Sequence, residues 1–520
     1  EGVAKNLGEK EAGIFDAHLM VLEDKALIDD VEKEIRSTGD NVEQCLYRVT
    51  QRYYEYFNQL EDEYLRERAS DLKDISRRLI RNLIGATAAG TAFLEDPRVL
   101  VSEDLTPSDT ASLDRSKILA IATETGGQTS HAVIMARASG VPAVVGVRSL
   151  TEGLAEGDTL LVDGFEGVVI INPSETTLFR YGKVGIRRKK LKDLVEEDAQ
   201  EPSRTQDGLE FHLYANADTP EEVTAAMDFF CRGVGLYRTE ALFLRKNEMP
   251  SEDVQYLHYR ELVEAAAPLS VTIRTLDLGG DKVLDLGDRE KESNPFMGFR
   301  AIRYCLRNPE IFLVQLRAIL RASAHGEVKI MFPMISGVGE VIRAKALLER
   351  AKEELRVEEV NFDESIEIGC MIETPSAVTI CDILAKEVDF FSVGTNDLVQ
   401  YLLAVDRVNN QIAYLYEPHH PAVIRSLDHV SRVSKDTGRP ITVCGEIAGD
   451  PHFLPVLLGL GLDHLSCAPP LLHELKFFGR CFTIMECEKL VEEILSMGRP
   501  VQIKARLKEF YDLRVADLLA

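Results

Sequence analysis

Apolar positions fall into three successive textures along this 520-residue chain, and each predicts a different kind of element. Near the N-terminus the period is helical. Val42, Leu46, Val49, Tyr53, Phe57, Leu60 and Tyr64 follow at spacings of 4, 3, 4, 4, 3 and 4, which is one face of a long helix. Ser37-Thr38-Gly39-Asp40-Asn41 breaks it from an earlier helix. Ser70 is a candidate cap for a later one, with Leu72, Ile75, Leu79 and Leu83 inward. Residues 1–85 therefore read as a small antiparallel helical unit.

Over residues 86–174 the apolar runs shorten to strand length, at 99–101, 118–122, 144–145, 159–162 and 168–171. This predicts a compact α/β module. Residues 175–204 are charged and helical, with Arg187-Arg188-Lys189-Lys190 followed by Glu196-Glu197-Asp198. A solvated linker helix accounts for that pattern better than a nucleic-acid surface. From 205 to 520 strand-like runs alternate with helical segments. They lie at 212–215, 234–237, 271–276, 328–332, 368–372, 390–393, 441–443 and 465–467. Eight such strands predict a (β/α)8 barrel.

Composition narrows the class. No apolar run approaches the roughly 20 residues of a membrane span. The first ten residues are polar and charged, so no secretory leader is read there. A net charge of −26 argues against nucleic acid as a partner and suits docking of a basic protein surface. Nine cysteines without a CxxC pair indicate neither a disulfide framework nor a zinc site, which fits a reducing cytoplasm.

Two places carry candidate chemistry. The first is Gly126-Gly127-Gln128-Thr129-Ser130-His131, after a predicted strand and before a helical pattern. A helix N-terminus offers free N–H groups and a positive dipole end, so an anionic group on the imidazole of His131 would be favoured. Imidazole is also nucleophilic near neutral pH. Equally, Thr129 or Ser130 could simply cap the helix, with His131 on the surface.

The second is the C-terminal ends of the barrel strands, where barrel chemistry resides. Arg238 ends the second run and Arg274 lies in the third. Glu373 ends the fifth, Asn396 and Asp397 follow the sixth, and Cys444 ends the seventh. Arg300 and Arg407 lie in the intervening loops. Arginine forks suit carboxylate and phosphate oxygens, and two carboxylates completed by water and substrate suit Mg²⁺. Each residue alone has a structural explanation; their joint placement at strand ends favours a site.

The motif GGQTSHAVIMAR at 126–137 resembles the phosphohistidine signature of the phosphoenolpyruvate (PEP)-utilising enzymes: Enzyme I of the sugar phosphotransferase system, pyruvate phosphate dikinase and PEP synthase. GVGLYRTE (233–240), RTLDLGGDK (274–282), NPFMGFRAIR (294–303), IMFPM (330–334), ETPSA (373–377), GTNDLVQYLLAVDR (394–407) and CGEIAGDP (444–451) look like the PEP-binding barrel of Enzyme I. The resemblance covers nearly the whole chain. It implies an α/β multidomain protein: a helical unit that docks a histidine phosphocarrier protein (HPr), a swivelling phosphohistidine domain and a C-terminal (β/α)8 TIM barrel.

The resemblance also implies site roles. His131 would be phosphorylated, Arg238, Arg274, Arg300 and Arg407 would hold the PEP phosphate and carboxylate, and Asn396 would donate to the substrate. Glu373 and Asp397 would bind Mg²⁺, and Cys444 would handle the proton at the enol carbon. A cytoplasmic homodimer formed through the barrel is expected. The alternatives are a nitrogen-type Enzyme I with a regulatory role and a non-catalytic, partner-binding relative; a dikinase or synthase would need a nucleotide-binding domain ahead of His131. Two departures stand out. The chain starts inside the helical unit, so truncation there is expected. Pro469-Pro470 follow the eighth strand, where the family usually has small residues leading to Ile-Pro, which puts the last loop and a nearby subunit contact in question.

Overall fold

In the computed structural model the described residues are 25–59, parts of 75–84, 97–103, 105, 117–125, 133, 136, and most of 141–182 and 191–196. They continue over 201–519 apart from 245–248, 279–293, 408 and 410. His131 with its glycine turn, residues 60–74 and half of the expected linker helix lie outside them. The chain divides into two units, 1–185 and 186–520.

In the first unit, helices α1 (Lys25–Thr38) and α2 (Val42–Gln59) form a hairpin. Gly39 makes the turn with φ +71°, a conformation that glycine adopts without a Cβ penalty. Asn41 caps α2 by accepting from the Gln44 N–H at 3.2 Å. The middle of the predicted apolar face is packed: Leu46 and Val49 are buried and Tyr53 packs against the core that Val49 shares with Leu27, whereas Val42 at the start of the face is exposed. Arg48 and Arg52 on α2 both pair with Glu34 on α1.

The same unit holds the α/β module. Strands β1 (Arg98–Ser102), β2 (Ile118–Thr123) and β3 (Ala143–Val144) form a parallel sheet, and β4 (Leu160–Asp163) pairs antiparallel with β5 (Val168–Ile171). Leu105, Ile118, Ile121 and Ala136 share one core. The chain leaves β2 through a pinned turn. Thr123 Oγ1 donates to Thr125 O at 2.6 Å, and the Thr125 N–H donates to Glu103 O at 3.0 Å.

The second unit is the barrel. Its strands are β6 (His212–Ala217), β7 (Gly233–Arg238), β8 (Ser270–Arg274), β9 (Val328–Phe332), β10 (Glu367–Ile372), β11 (Phe390–Gly394), β12 (Ile441–Cys444) and β13 (His464–Cys467). All are parallel, and they close in sequence order with β13 beside β6. Outward-facing residues such as Leu213, Ile273, Ile330 and Val443 are buried against the surrounding helices. The interior is filled by Leu236, Met331, Met371, Phe390 and Cys444.

Two expectations need adjusting. The third barrel strand stops at Arg274, two residues short of the predicted end: the Thr275 N–H still donates to Met331 O at 2.9 Å, but the following amide is drawn out of the ladder. The Leu276 N–H donates to the Gln315 side chain at 2.9 Å. The prolines at 469–470 do not disturb closure: β13 ends at Cys467 and they open a 3-10 turn, Pro469–Leu471, where a missing N–H costs little.

Candidate active site

Parallel register brings the strand ends together. Arg238 lies beside Arg274, Ile372 beside Val393, and Gly394 beside Cys444. The result is a cavity of about 170 Å³ at the C-terminal mouth of the barrel. Arg238, Arg274, Arg300, Glu373, Asn396, Asp397, Arg407 and Cys444 all line it. Every barrel residue expected from the sequence is therefore in one place, and only His131 lies outside the described residues. A larger cavity of about 330 Å³, lined in part by Leu490, Phe510 and Leu513, contains none of them.

The arginines are held by buried acids that the sequence reading did not single out. Asp277 pairs with Arg274 at 3.0 Å and with Arg300 at 2.8 Å. Glu240 accepts from Arg274 Nη2 at 2.9 Å and from the Asp277 N–H at 3.2 Å. Burial alone would lower the Arg274 pKa, but Glu240 and Asp277 outweigh it and hold the value above the ordinary one. Arg300 follows the same logic, with Asp277 and Asp397 as the opposing carboxylates. Arg274 Nε is buried without a hydrogen-bond partner among the described residues. An unmet donor on a fixed cation is a ready contact for an anion. Arg238 pairs with Asp218 at 3.0 Å and Arg407 approaches Asp397 at 3.8 Å.

Glu373 is 2% exposed and its Oε1 accepts from the Met334 N–H at 2.5 Å. Its pKa is pushed up to about 8, chiefly by burial and then by Asp397 and Asp277. Two glycines let the carboxylate face of the cavity assemble. A Cβ on Gly394 would meet Glu373 Oε2 at 2.6 Å. A Cβ on Gly445, whose φ is +101°, would meet Thr395 Oγ1 at 2.4 Å. Asn396 is oriented across that gap: its Oδ1 accepts from the Glu446 N–H at 2.9 Å.

Cys444 is buried at the base. Its Sγ lies 3.2 Å from Val393 O and 3.4 Å from Ser392 Oγ. Burial raises the thiol pKa to about 11, so it carries its proton at neutral pH. Tyr401 ties two loops: it accepts from Arg300 Nη1 at 3.2 Å and donates to Phe296 O at 2.5 Å. Asp277 and Tyr401 both sit inside sequence stretches already noted for their arginines, at three residues from Arg274 and six before Arg407. For Ser392, in the middle of an apolar strand, no sequence signal existed.

Three family models match the chain. The family model for the PEP-binding domain of PEP-utilising enzymes matches residues 192–478, that for their mobile domain 94–167 and that for their N-terminal domain 1–68. The phosphoenolpyruvate-protein phosphotransferases of Bacillus sp. (strain S) and Geobacillus stearothermophilus are each 41% identical over 98% of this chain and 88% of their own. That of Staphylococcus carnosus (strain TM300) is 40% identical over 97% of this chain and 88% of its own.

Proposed function

This chain belongs to the PEP-utilising enzymes, in their phosphoenolpyruvate-protein phosphotransferase branch (Enzyme I), and from that membership we propose that it transfers the PEP phosphoryl group to His131 and then to a histidine of the carrier HPr. One observation carries the reading: four arginines, three acidic side chains and a buried thiol share one cavity at the barrel mouth. A non-catalytic relative would have no use for a buried thiol facing the anion-binding arginines.

The arginines bind and orient the substrate. Arg274 and Arg300, fixed by Asp277, hold its phosphate and carboxylate oxygens together with Arg238 and Arg407. Asn396 donates to the substrate. The imidazole of His131 attacks phosphorus, the bond from phosphorus to the enol oxygen breaks, and the enolate of pyruvate is left. Cys444 gives its proton to the methylene carbon, and the enolate oxygen becomes the carbonyl. Phosphorylated His131 then passes the group to the carrier.

The acidic residues fit a divalent cation. Glu373 and Asp397 present hard oxygens to the cavity, and burial together with the neighbouring Asp397 and Asp277 raises the Glu373 pKa despite Arg274, a concentration of acidic groups that a cation would relieve. Among the described residues no third His, Cys, Asp or Glu completes a cage, as suits Mg²⁺, which keeps water and substrate oxygens. Bound there, Mg²⁺ would neutralise charge developing on phosphate and enolate oxygens.

The expected boundaries divide the labour: residues 1–85 dock the carrier, 86–174 bear His131, 175–204 link, and 205–520 hold PEP. All nine cysteines are free, which supports a reducing cytoplasm, and no helix among the described residues is long and apolar enough to cross a membrane. We take the active form to be a homodimer through the barrel. The test is pyruvate release from PEP with HPr present, before and after EDTA. Turnover that stops with EDTA and returns with Mg²⁺ supports the reading; no turnover in either state contradicts it.

A further inference from the structure

Ser392 has an oddly expensive position. It is 1% exposed on β11, pointing into a barrel interior otherwise filled by Leu236, Met331, Met371 and Phe390. A hydroxyl there is unfavourable unless it is hydrogen-bonded, and alanine or valine would serve the packing as well. Among the described residues its one hydrogen-bond partner is Cys444 Sγ, at 3.4 Å.

One arrangement of protons satisfies both contacts on sulfur. The thiol has one proton, and Val393 O lies at 3.2 Å to receive it. The Ser392 hydroxyl then points its own proton at sulfur. Once the thiol has given its proton away, sulfur carries a negative charge in a buried site, where an unpartnered anion is strongly disfavoured. The Ser392 O–H is already aimed at it, and hydrogen bonds to a charged atom are the strong ones.

We propose that Ser392 is a positioning residue for the reaction: it fixes the Cys444 sulfur at the base of the cavity and holds the thiolate that remains once the proton has left Val393 O for the enolate. This rests on the reading of Cys444 as the acid. In that step the S–H bond breaks and a C–H bond forms at the methylene carbon of the enolate. The S–H electron pair stays on sulfur, and the C–O bond of the enolate becomes a carbonyl. Sulfur then regains a proton from water entering the cavity.

The experiment is a double-mutant cycle on the full chain with PEP, Mg²⁺ and HPr. Ser392→Ala should lower kcat for pyruvate formation roughly tenfold, the effect of one hydrogen bond to a charged atom, with KM for PEP within about twofold. Ser392→Thr, which keeps the hydroxyl, should recover most of the rate; should threonine not pack, the alanine variant and the cycle decide alone. In a Cys444→Ala background, Ser392→Ala should make no further difference, because Ser392 acts through the sulfur. An unchanged kcat, a rise in KM alone, or the same loss in both backgrounds overturns the inference. Slow Cys444→Ala beside wild-type Ser392→Ala overturns the role of Ser392 only. Wild-type turnover by Cys444→Ala overturns the thiol reading and this inference together.

Discussion

Gly394→Ala adds one methyl group beside the proposed metal carboxylates, and its effect can be worked out from distances. The backbone at Gly394 has φ −81°, which alanine adopts without strain, so any effect comes from contact. The new Cβ would lie 2.6 Å from Glu373 Oε2 and 3.0 Å from both Glu373 Cβ and Met371 Sδ. Ordinary contact begins near 3.4 Å, so the carboxylate oxygen must retreat by about 0.8 Å. Glu373 has little room, since the Met334 N–H holds its other oxygen at 2.5 Å. Overpacking of this kind costs about 1–3 kcal/mol of stability. Misplacing a catalytic group by close to 1 Å costs about 10²-fold in rate. We therefore expect kcat/KM for PEP to fall by about two orders of magnitude and the apparent Mg²⁺ affinity to weaken, in a protein that still folds. Steady-state kinetics over a Mg²⁺ titration measures both, with thermal unfolding as the folding control. Kinetics within twofold of the parent chain, with unchanged Mg²⁺ dependence, would refute the assignment of Glu373.

Further outcomes follow from the same geometry. Glu373→Gln and Asp397→Asn should each remove Mg²⁺-dependent turnover; an apparent Mg²⁺ affinity unchanged in both contradicts the proposed ligands. The raised pKa of Glu373 sets a pH dependence with a definite sign. A carboxyl raised from 4.5 to about 8 stabilises the metal-free fold below pH 4.5, and this contribution is lost as the pH rises through about 8. Since Mg²⁺ competes with that proton, its apparent affinity should increase between pH 6 and 8, by at most about tenfold per unit, and level off above. Isothermal titration at several pH values checks this, and a flat profile refutes it. Cys444→Ala should strongly slow pyruvate formation and solvent-hydrogen exchange into the pyruvate methyl group. It should leave transfer from phosphorylated HPr to His131 in place, because that step needs no enolate. Equal loss in both directions makes Cys444 structural.

The barrel was legible because its strands are short apolar runs separated by helices, and because arginine, glutamate and cysteine at strand ends interrupt that pattern. The supporting cast was less visible for a physical reason. Ser392 and Gln315 are polar residues inside apolar elements, and nothing in a linear pattern distinguishes a buried hydroxyl with a partner from filler. Gln315 proves to bind the Leu276 amide and to reach both Thr239 and Tyr259, which ends β8 and steadies the turn behind Arg274. Asp277 was within reach, since a buried pair of arginines needs a shared carboxylate and Asp277 is the nearest acid following Arg274. The concern over Pro469-Pro470 was for the loop after the eighth strand, and it does not reach the barrel: four residues of pairing with β6 are complete before the first proline.

The central claim is that the barrel binds PEP and His131 receives its phosphoryl group. Incubation with PEP labelled in the phosphoryl group and Mg²⁺ should give one acid-labile, base-stable phosphate on the parent chain and none on His131→Ala, while calorimetry shows PEP bound by both with similar affinity. Full labelling of His131→Ala, or loss of PEP binding with the imidazole, would contradict the account.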